Sequence, residues 1–300
     1  MPADGVVVID KPAAMTSARV VAVVKRCLAA RKVGHAGTLD PDATGVLLCC
    51  IGAATRLARF LMQRPKTYAA TMILGVDTTT QDSAGRVTAI RCLAGVTAEG
   101  VRRAASRFEG TIQQVPPVYS ALKHQGVPLY RLARSGRPVS KPPRPVTIHR
   151  LKVMEVALPR VLLEVACSAG TYVRTLCADL GRDLGCGGHM SALRRTASAG
   201  FSLDEAVDLD TFESLCREGR AGERIIGMNR ALRDMAAVTA DTDLARRIGD
   251  GQRLTPRDIG PPPDRGPIKV VDGNDRLLAI IEFDNAAGRY DYACVLHHQQ

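Results

Sequence analysis

The most distinctive stretch of this 300-residue sequence is Gly34-His35-Ala36-Gly37-Thr38-Leu39-Asp40-Pro41-Asp42-Ala43-Thr44-Gly45. Its glycines allow tight backbone turns and the close approach of a ligand. The proline that follows Asp40 disfavours the helical conformation at that residue and predicts an extended segment or a turn. Because an apolar run, 46–51, comes next, we expect a loop that leads into a strand and holds Asp40 at a cleft.

The residue types alone leave two interpretations of Asp40. It is a catalytic carboxylate, or it only accepts hydrogen bonds from nearby amides in an Asx turn. His35, in the same loop, is a base, a substrate contact or a turn residue. These alternatives stay open at the level of composition and spacing.

Hydropathy patterns on either side of this loop predict a mixed α/β fold. Residues 66–74 alternate like a half-buried strand, with Tyr68, Ala70, Met72 and Leu74 on one side. Thr16 or Ser17 is a suitable cap for the helix that follows it. The other predicted strands are 6–9, 46–51 and 161–167, and the predicted helices are 17–30, 56–62 with Thr55 as its cap, 97–108, 129–134 and 171–184. Residues 34–37 are predicted to form a loop.

The pattern changes after residue 234. Short apolar runs, 268–271, 277–282 and 292–296, are separated by glycine, proline and aspartate, which is typical of strands joined by turns. We therefore predict two domains: a large α/β domain over 1–234 and a small β-rich module over 235–300.

The charge balance points to a polyanionic partner. The sequence has 41 Lys and Arg against 30 Asp and Glu, a net charge of +11 and an isoelectric point near 9.5. Residues 235–300 carry a net charge of −2, so the first 234 residues carry +13. A basic domain of this kind favours nucleic acid as the partner.

Residues 110–154 contain no acidic residue and eight basic ones. A solvated basic face is the alternative to contact with nucleic acid, but solubility alone is served by charges of mixed sign. The segment is also rich in proline and predicted to be long and irregular around a short helix, 129–134, which is typical of functional or disordered segments. We therefore predict that it contacts nucleic acid.

The composition argues against a membrane-spanning protein, a secreted protein and a protein held together by disulfides or metal ions. No apolar run approaches the ~18 residues of a membrane span, and the early run 5–9 is too short for a signal peptide. The nine cysteines show neither CxxC spacing nor a paired framework, so we expect no disulfide scaffold, no metal site and a cytoplasmic location.

Five segments resemble the motifs of one known family. The stretch GHAGTLDPDATGVL, 34–47, resembles the catalytic motif of the TruB family of pseudouridine synthases. The other matching segments are Asp10-Lys11-Pro12 with Met15-Thr16-Ser17, Lys66-Thr67-Tyr68, 115–123 with its continuation to Arg134, and 167–174 with Asp179-Leu180-Gly181 and Leu193-Arg194-Arg195. Ala14 stands where the family usually has glycine. Because the five segments follow the family's order across 10–195, the resemblance is specific.

The resemblance implies a catalytic site made of three residues. Asp40 stands at the position of the nucleophile, Tyr68 at that of the tyrosine that stacks on the target base, and Arg174 at that of the arginine that pairs with the catalytic carboxylate. An arginine suits this role because its planar, permanently charged group binds a carboxylate in two places. The substrate-binding residues that the resemblance implies are His35, Tyr68, Tyr172 and Leu193.

The resemblance also implies the fold and the substrate. The expected fold is α/β, more strictly α+β: a catalytic domain around a mixed, largely antiparallel sheet, with a PUA-like C-terminal module. The basic segment 110–154 corresponds to an RNA-binding insertion, and its expected contacts with the RNA backbone are Lys123, Arg131, Arg134, Arg137, Lys141 and Arg144. The implied substrate is the T stem-loop of tRNA, with the uridine at position 55 as its target.

The implied reaction breaks the N1–C1′ bond of uridine and rejoins the sugar to C5. Because nothing is oxidised, reduced or hydrolysed overall, no cofactor and no metal are expected. We also expect a monomer without an obligatory protein partner. Two alternatives stay open: an RNA-guided synthase of the related branch, and a non-catalytic protein that binds and folds tRNA.

Overall fold

The computed structural model of the protein describes residues 4–263 and 266–296. Its strands are β1 (Gly5–Lys11), β2 (Val33–His35), β3 (Thr44–Ile51), β4 (Lys66–Leu74), β5 (Val76–Thr78), β6 (Val87–Ile90), β7 (Gly110–Gln114), β8 (Lys123–His124), β9 (Val127–Pro128), β10 (Arg144–Ala157), β11 (Arg160–Cys167), β12 (Gly188–Ser198), β13 (Phe201–Ser202), β14 (Val207–Asp208), β15 (Ile226–Gly227), β16 (Ala236–Thr239), β17 (Ile268–Val271), β18 (Leu277–Asp284) and β19 (Arg289–Val295).

The α-helices are α1 (Ser17–Cys27), α2 (Ala58–Met62), α3 (Ala98–Ser106), α4 (Leu129–Arg134), α5 (Val173–Asp183), α6 (Leu209–Arg217), α7 (Met228–Ala231), α8 (Thr242–Gly249) and α9 (Pro256–Ile259). Short 3-10 segments are Gly52–Leu57, Leu203–Glu205 and Ala221–Arg224. No helix of the described part of the chain is long and apolar enough to cross a membrane.

One large sheet organises the chain as far as β15. Its main order is β14-β1-β3-β12-β4-β11-β10-β7, with β2 beside β3, β13 beside β12 and β15 beside β1. The pairs β1–β14 and β12–β3 are parallel, and the other pairs along this order are antiparallel. The prediction of a mixed, largely antiparallel sheet is therefore confirmed.

The pairing register shows which side chains share a face of this sheet. Lys11 lies opposite Gly45, Gly45 opposite Arg195, and Arg195 opposite Tyr68. Partners directly opposite each other point to the same side, and neighbours along a strand point to opposite sides. We call the face that carries these four residues the front face.

Helices cover the front face in two groups. Helices α1 and α6 pack on β1 and β3, where Val20 and Val24 meet Ile9 and Leu47. Helices α3 and α5 pack on β4, β10 and β11 in a second apolar cluster. The loop between β2 and β3 contributes Leu39 to this second cluster, so it lies where the two helix groups meet.

The C-terminal module is a separate sheet in the order β16-β17-β18-β19. It has a core of its own, in which α8 packs on β17 and β18. Its other apolar side chains, among them Leu277 and Ile280, join α2 and the back face of β1 and β3 in a shared cluster. The predicted β-rich module is thus present and packs against the large sheet.

Strand β4 illustrates why the alternating pattern was informative. It spans the predicted residues 66–74, and its side chains alternate between buried and half-buried positions. The predicted side of Tyr68, Ala70, Met72 and Leu74 is the buried one. Each of these side chains therefore points into the front-face core, and Ala69, Thr71 and Ile73, which lie between them, point to the back.

Some local predictions were wrong. Gly34 and His35 are not loop residues, because they pair with β3 as part of β2. Thr55 does not cap a helix: its hydroxyl donates to the carbonyl of Gly52 inside a 3-10 segment, and α2 begins only at Ala58. Tyr172 is extended, so α5 begins two residues later than predicted.

The acid-free segment 110–154 is divided by the sheet. Its two ends are strands β7 and β10, which pair with each other. Only residues 115–143 extend from the sheet, and they contain the β8–β9 hairpin and helix α4. We call residues 115–143 the insertion.

Candidate active site

The loop between β2 and β3 is fixed at its centre by α1 and β1. The hydroxyl of Ser17 donates to the carbonyl of Leu39 at 3.0 Å and accepts from its amide at 2.9 Å. The ammonium of Lys11 donates to the carbonyl of Pro41 at 2.9 Å. These bonds hold the residues on both sides of Asp40, so its carboxylate has a defined position.

Two glycines of this loop have structural roles. Gly37 has φ +117°, a conformation that residues with a side chain rarely adopt. At Gly45, a Cβ atom would lie 2.2 Å from the carbonyl oxygen of Arg195 on the neighbouring strand. The close approach of β3 to β12 at this point therefore requires glycine.

Asp40 lies next to a buried arginine. Nη2 of Arg174 is 3.4 Å from a carboxylate oxygen of Asp40, and the side chain of Asp40 is 44% exposed where that of Arg174 is 8% exposed. The same guanidinium donates from Nη2 to the carbonyl of Tyr119 at 2.8 Å. Arg174 comes from the first turn of α5, so that helix and the insertion jointly position the group beside Asp40.

A second carboxylate, Asp82, completes this cluster and was missed by the sequence reasoning. It accepts from Nη1 of Arg174 at 3.2 Å. Its other oxygen accepts from the hydroxyl of Thr80 and from the amide of Ala84. Asp82 lies in the turn of the β5–β6 hairpin, and neither the spacing nor the residue type in the sequence distinguishes it from a surface aspartate.

Tyr68 and Arg195 lie side by side on the front face. Both are buried, at 7% and 1% exposure. Burial raises the pKa of the Tyr68 hydroxyl, and the nearby guanidinium of Arg195 opposes this rise. Arg195 also donates to the carbonyls of Val46 and Gly37, at 2.7 and 3.1 Å, and so ties the loop to the tyrosine.

Tyr172 lies between two cations and is held by its backbone. The guanidinium groups of Arg144 and Arg174 lie 5.5 and 5.8 Å from its ring centre. The buried amide of Gln114 donates to the carbonyl of Tyr172 at 3.1 Å and accepts from its N–H at 2.8 Å. The ring is therefore presented at a fixed place before α5 begins.

These side chains surround one cavity of about 360 Å³. Five of the six predicted catalytic and substrate-binding residues line it, namely Asp40, Tyr68, Tyr172, Arg174 and Leu193. Ala121 and Leu122 of the insertion form another part of its wall. The cavity is large enough for a planar base between aromatic faces, with a carboxylate at its rim.

His35 is the predicted residue that does not line this cavity. It lies on β2, its Nδ1 is buried without a hydrogen-bond partner among the described residues, and burial lowers the pKa of its ring below the usual value, with a smaller contribution from Arg195. It stays a predicted RNA contact.

Five of the six predicted contacts with the RNA backbone lie on the insertion, and the sixth, Arg144, follows directly after it. Arg131 and Arg134 lie on α4, and Arg137 follows it, held by a hydrogen bond from its amide to Leu132. Lys123 lies on β8, and Lys141 contacts the ring of His124 at 3.2 Å. Arg144 lies at the start of β10, where its guanidinium bonds to the carbonyl of Gly170.

Lys66 is a buried lysine at the cavity wall that the sequence reasoning did not assign a role. Its ammonium donates to the carbonyls of Met62 and Arg64, both at 2.7 Å, where α2 ends. Burial, with a further contribution from Arg195, lowers the pKa of Lys66 to about 8. Because the unfolded chain keeps the ordinary value, it binds more protons than the folded one between these two pKa values.

The variant Lys66→Met tests this buried ammonium. Wild-type stability should rise relative to that of the variant as the pH rises, since deprotonation relieves the cost of burying the charge. Between about pH 7 and about pH 9.5 the gain is about 2 kcal/mol in the free energy of unfolding. Urea unfolding of both proteins at the two pH values measures it. A stability difference that does not change with pH would contradict the lowered pKa.

Comparisons with known proteins identify the family of the chain. Residues 25–173 match the family model described as TruB family pseudouridylate synthase (N terminal domain), and residues 174–237 match that of the tRNA pseudouridylate synthase B C-terminal domain. The tRNA pseudouridine synthase B of Syntrophotalea carbinolica is 46% identical over 248 residues, which cover 83% of this chain and 81% of that protein. The protein of the same name from Burkholderia mallei is 44% identical over 280 residues, 92% of each chain.

Solved structures show the same fold. A protein in the "Crystal Structure of a Cbf5-Nop10-Gar1 Complex" is similar with a TM-score of 0.74 and 26% identity, over 99% of this chain and 84% of its own. A chain of the "Structure of H/ACA RNP bound to a substrate RNA containing 2'-deoxyuridine" has the same TM-score and identity, over 98% and 85%. Because two family models match residues 25–237 and relatives of 44–46% identity cover most of the sequence, the chain belongs to the TruB family of pseudouridine synthases.

Proposed function

We propose that this protein isomerises uridine to pseudouridine in tRNA, at the T-loop uridine that is position 55. The observation that carries the proposal is the cavity around which Asp40, Tyr68, Tyr172, Arg174 and Leu193 converge. Relatives named tRNA pseudouridine synthase B, with 44–46% identity, support tRNA as the substrate.

The geometry fits a base that has left its stack. A base inside an RNA helix cannot reach a carboxylate, so it must be turned out into a pocket and held by stacking. Tyr68 and Tyr172 supply aromatic faces on two sides of the cavity, and Leu193 supplies an apolar wall. Asp40 at the rim then faces the sugar rather than the base.

The reaction leaves the composition of the nucleotide unchanged. The N1–C1′ bond breaks, C1′ bonds to C5, the proton on C5 leaves and N1 gains a proton. A carboxylate supports the intermediate either by bonding to C1′ or by stabilising a cation-like or glycal species. Arg174 lies against Asp40 and holds its carboxylate in place during the rearrangement.

Incubation with an unmodified tRNA transcript tests the proposal. Pseudouridine is then located by carbodiimide treatment and primer extension. The expected result is one new stop, one nucleotide to the 3′ side of the T-loop uridine, with no other RNA or protein added. The absence of any stop would contradict the proposal.

RNA-guided modification is the second candidate, because both structural neighbours with a TM-score of 0.74 come from H/ACA or Cbf5 complexes. We favour independent action, since the relatives at 44–46% identity are named for tRNA.

We also propose a monomer without an obligatory partner, located in the cytoplasm, where the free thiols of all nine cysteines stay reduced. Activity of the purified chain alone, with one species in analytical ultracentrifugation, is the expected result.

The insertion is proposed to hold the RNA backbone. Replacing Arg131, Arg134, Arg137 and Lys141 by glutamine should weaken the binding of all tRNAs alike, because phosphate contacts carry no sequence information. The slope of log K against log salt should become flatter by about 0.7–0.9 for every phosphate that the variant no longer neutralises. Turnover at saturating tRNA should change little, since such interactions stabilise ground state and transition state equally. Equal salt slopes for wild type and variant would dismiss this role.

A further inference from the structure

A second part of the chain, apart from the insertion, has a basic surface without acidic residues. Residues 11–39 contain no aspartate or glutamate and six Lys or Arg residues. Lys11 is buried against the loop between β2 and β3, residues 36–43, which we call the catalytic loop in line with the proposed function. The other five lie on α1 and the turn after it, all on exposed positions, and they are Arg19, Lys25, Arg26, Arg31 and Lys32.

Four of these five cations are not paired with any described carboxylate. Arg26 forms an ion pair with Glu213 on α6 at 3.2 Å. The others have no carboxylate oxygen within 4.0 Å in residues 4–263 and 266–296. On α8, by contrast, Arg246 and Arg247 each pair with an aspartate. The α1 cations are therefore available to an external anion.

The helix dipole does not account for all of these charges. Cations in the last turn of a helix, such as Lys25, interact favourably with its negative end. Arg19 is in the first turn of α1, where the dipole is positive and disfavours a cation, and this turn contains no acidic residue. Arg19 is therefore a cation that its own helix does not stabilise.

The position of α1 connects this surface to the cavity. The helix begins at Ser17, which is hydrogen-bonded to Leu39 next to Asp40. It packs on the front face, the same face that carries Tyr68. The insertion borders the cavity through Ala121 and Leu122. The basic surface of α1 is thus a second one that starts at the catalytic loop.

The far end of α1 keeps its cations together. The chain turns at Ala29, which has φ +46°, and the amide of Ala30 donates to the carbonyl of Lys25 at 3.0 Å. Arg31 therefore follows directly beside the last turn of the helix. At 1.5 Å per residue, α1 is about 16 Å long, a distance that spans several phosphates of a nucleic-acid strand.

We propose that the basic surface of α1, formed by Arg19, Lys25, Arg31 and Lys32, binds the phosphate backbone of the tRNA beyond the nucleotide in the cavity. The inference rests on the proposed function, because it takes tRNA as the ligand. It adds a contact surface that is separate from the insertion. An RNA that enters the cavity then meets cations both on the insertion and along α1.

The test compares two variants in which the same charges are removed. The first is Lys25→Gln with Arg31→Gln. The matched control is Lys152→Gln with Arg160→Gln, also one lysine and one arginine, both exposed and without a carboxylate within 4.0 Å in the described part of the chain. Lys152 and Arg160 align with Ala69 and Ile73 across the sheet, so they point to the back face, away from the cavity.

Binding of an unmodified tRNA transcript is measured at several salt concentrations. We expect the α1 variant to raise Kd at least about fivefold. The magnitude of its slope of log K against log salt should decrease by about 1.4–1.8, which corresponds to the loss of two phosphate contacts. The Kd of the control should lie within about twofold of the wild-type value, and its salt slope within about 0.3 of the wild-type slope. An α1 variant that behaves like the control would overturn the proposal.

Turnover in the same preparations separates this inference from the proposed function. Wild type and both variants should form pseudouridine at equal rates at saturating tRNA, because none of the substituted residues lines the cavity. If the wild type forms no pseudouridine, the proposed function fails, whatever the salt slopes show. If all three proteins are active and their Kd values agree, the α1 surface alone is refuted.

Discussion

Replacing Asp40 by asparagine is expected to abolish turnover and to leave tRNA binding nearly unchanged. The amide has the size of the carboxylate but neither its negative charge nor its nucleophilicity, so it cannot support the intermediate at C1′. Binding should weaken by less than about tenfold, ~1.4 kcal/mol, because the insertion and the aromatic walls remain. Single-turnover assays and filter binding measure the two quantities separately.

Asp42→Asn is the matched control for this variant. Asp42 is an exposed aspartate of the same loop, two residues away, and it does not line the cavity. The control should keep wild-type turnover, which shows that removal of a charge from this loop is not enough to stop the reaction. If Asp40→Asn keeps an activity within about a hundredfold of wild type, a change of ~2.7 kcal/mol in the activation free energy, the role of Asp40 as nucleophile is contradicted.

The Asp40 variant also separates catalysis from tRNA folding. A protein that only binds and refolds tRNA needs no reactive carboxylate, so its effect on tRNA structure would survive the substitution. Chemical probing of a misfolded tRNA transcript, with and without the inactive variant, measures this second activity. Retained refolding would show an additional role, and it would leave the assignment of Asp40 unchanged.

The predictable part of the fold consisted of patterns that are local in sequence. The alternation in β4 placed Tyr68 on the buried side, and the glycine-rich loop placed Asp40 before a strand. Strand β12 was not predicted, because its sequence contains serine, threonine and two arginines. The structure explains it: Arg195 is buried and donates to carbonyls of β3 and of the loop between β2 and β3.

The unpredicted part of the site depends on contacts between distant segments. Asp82 meets Arg174 across 92 residues, and Gln114 binds the backbone of Tyr172 across 58. The sequence showed Lys66 only as a member of a family motif and gave it no role. Its lowered pKa follows from burial at the end of α2. Residue type does not reveal such roles, because burial and partners arise only when the sheet assembles.

The arginine variant Arg174→Lys should have the second large effect, although it keeps the positive charge. The guanidinium uses Nη1 for Asp82, and Nη2 for both Asp40 and the carbonyl of Tyr119. A lysine offers a single nitrogen and cannot occupy both places. One carboxylate or the carbonyl therefore loses its partner in a site where Arg174 is 7% exposed.

Turnover at saturating tRNA should fall at least about a hundredfold, ~2.7 kcal/mol, because Asp40 is no longer held against its partner.

Asp82→Asn, which keeps Arg174, provides the comparison: it weakens one side of the cluster, so its loss of activity should be smaller. Thermal unfolding of both variants shows whether the cluster also stabilises the fold. A wild-type single-turnover rate for Arg174→Lys would refute the pairing as a catalytic requirement. A reduced rate with unchanged tRNA affinity would place the effect of the substitution on the position of Asp40 and not on RNA binding.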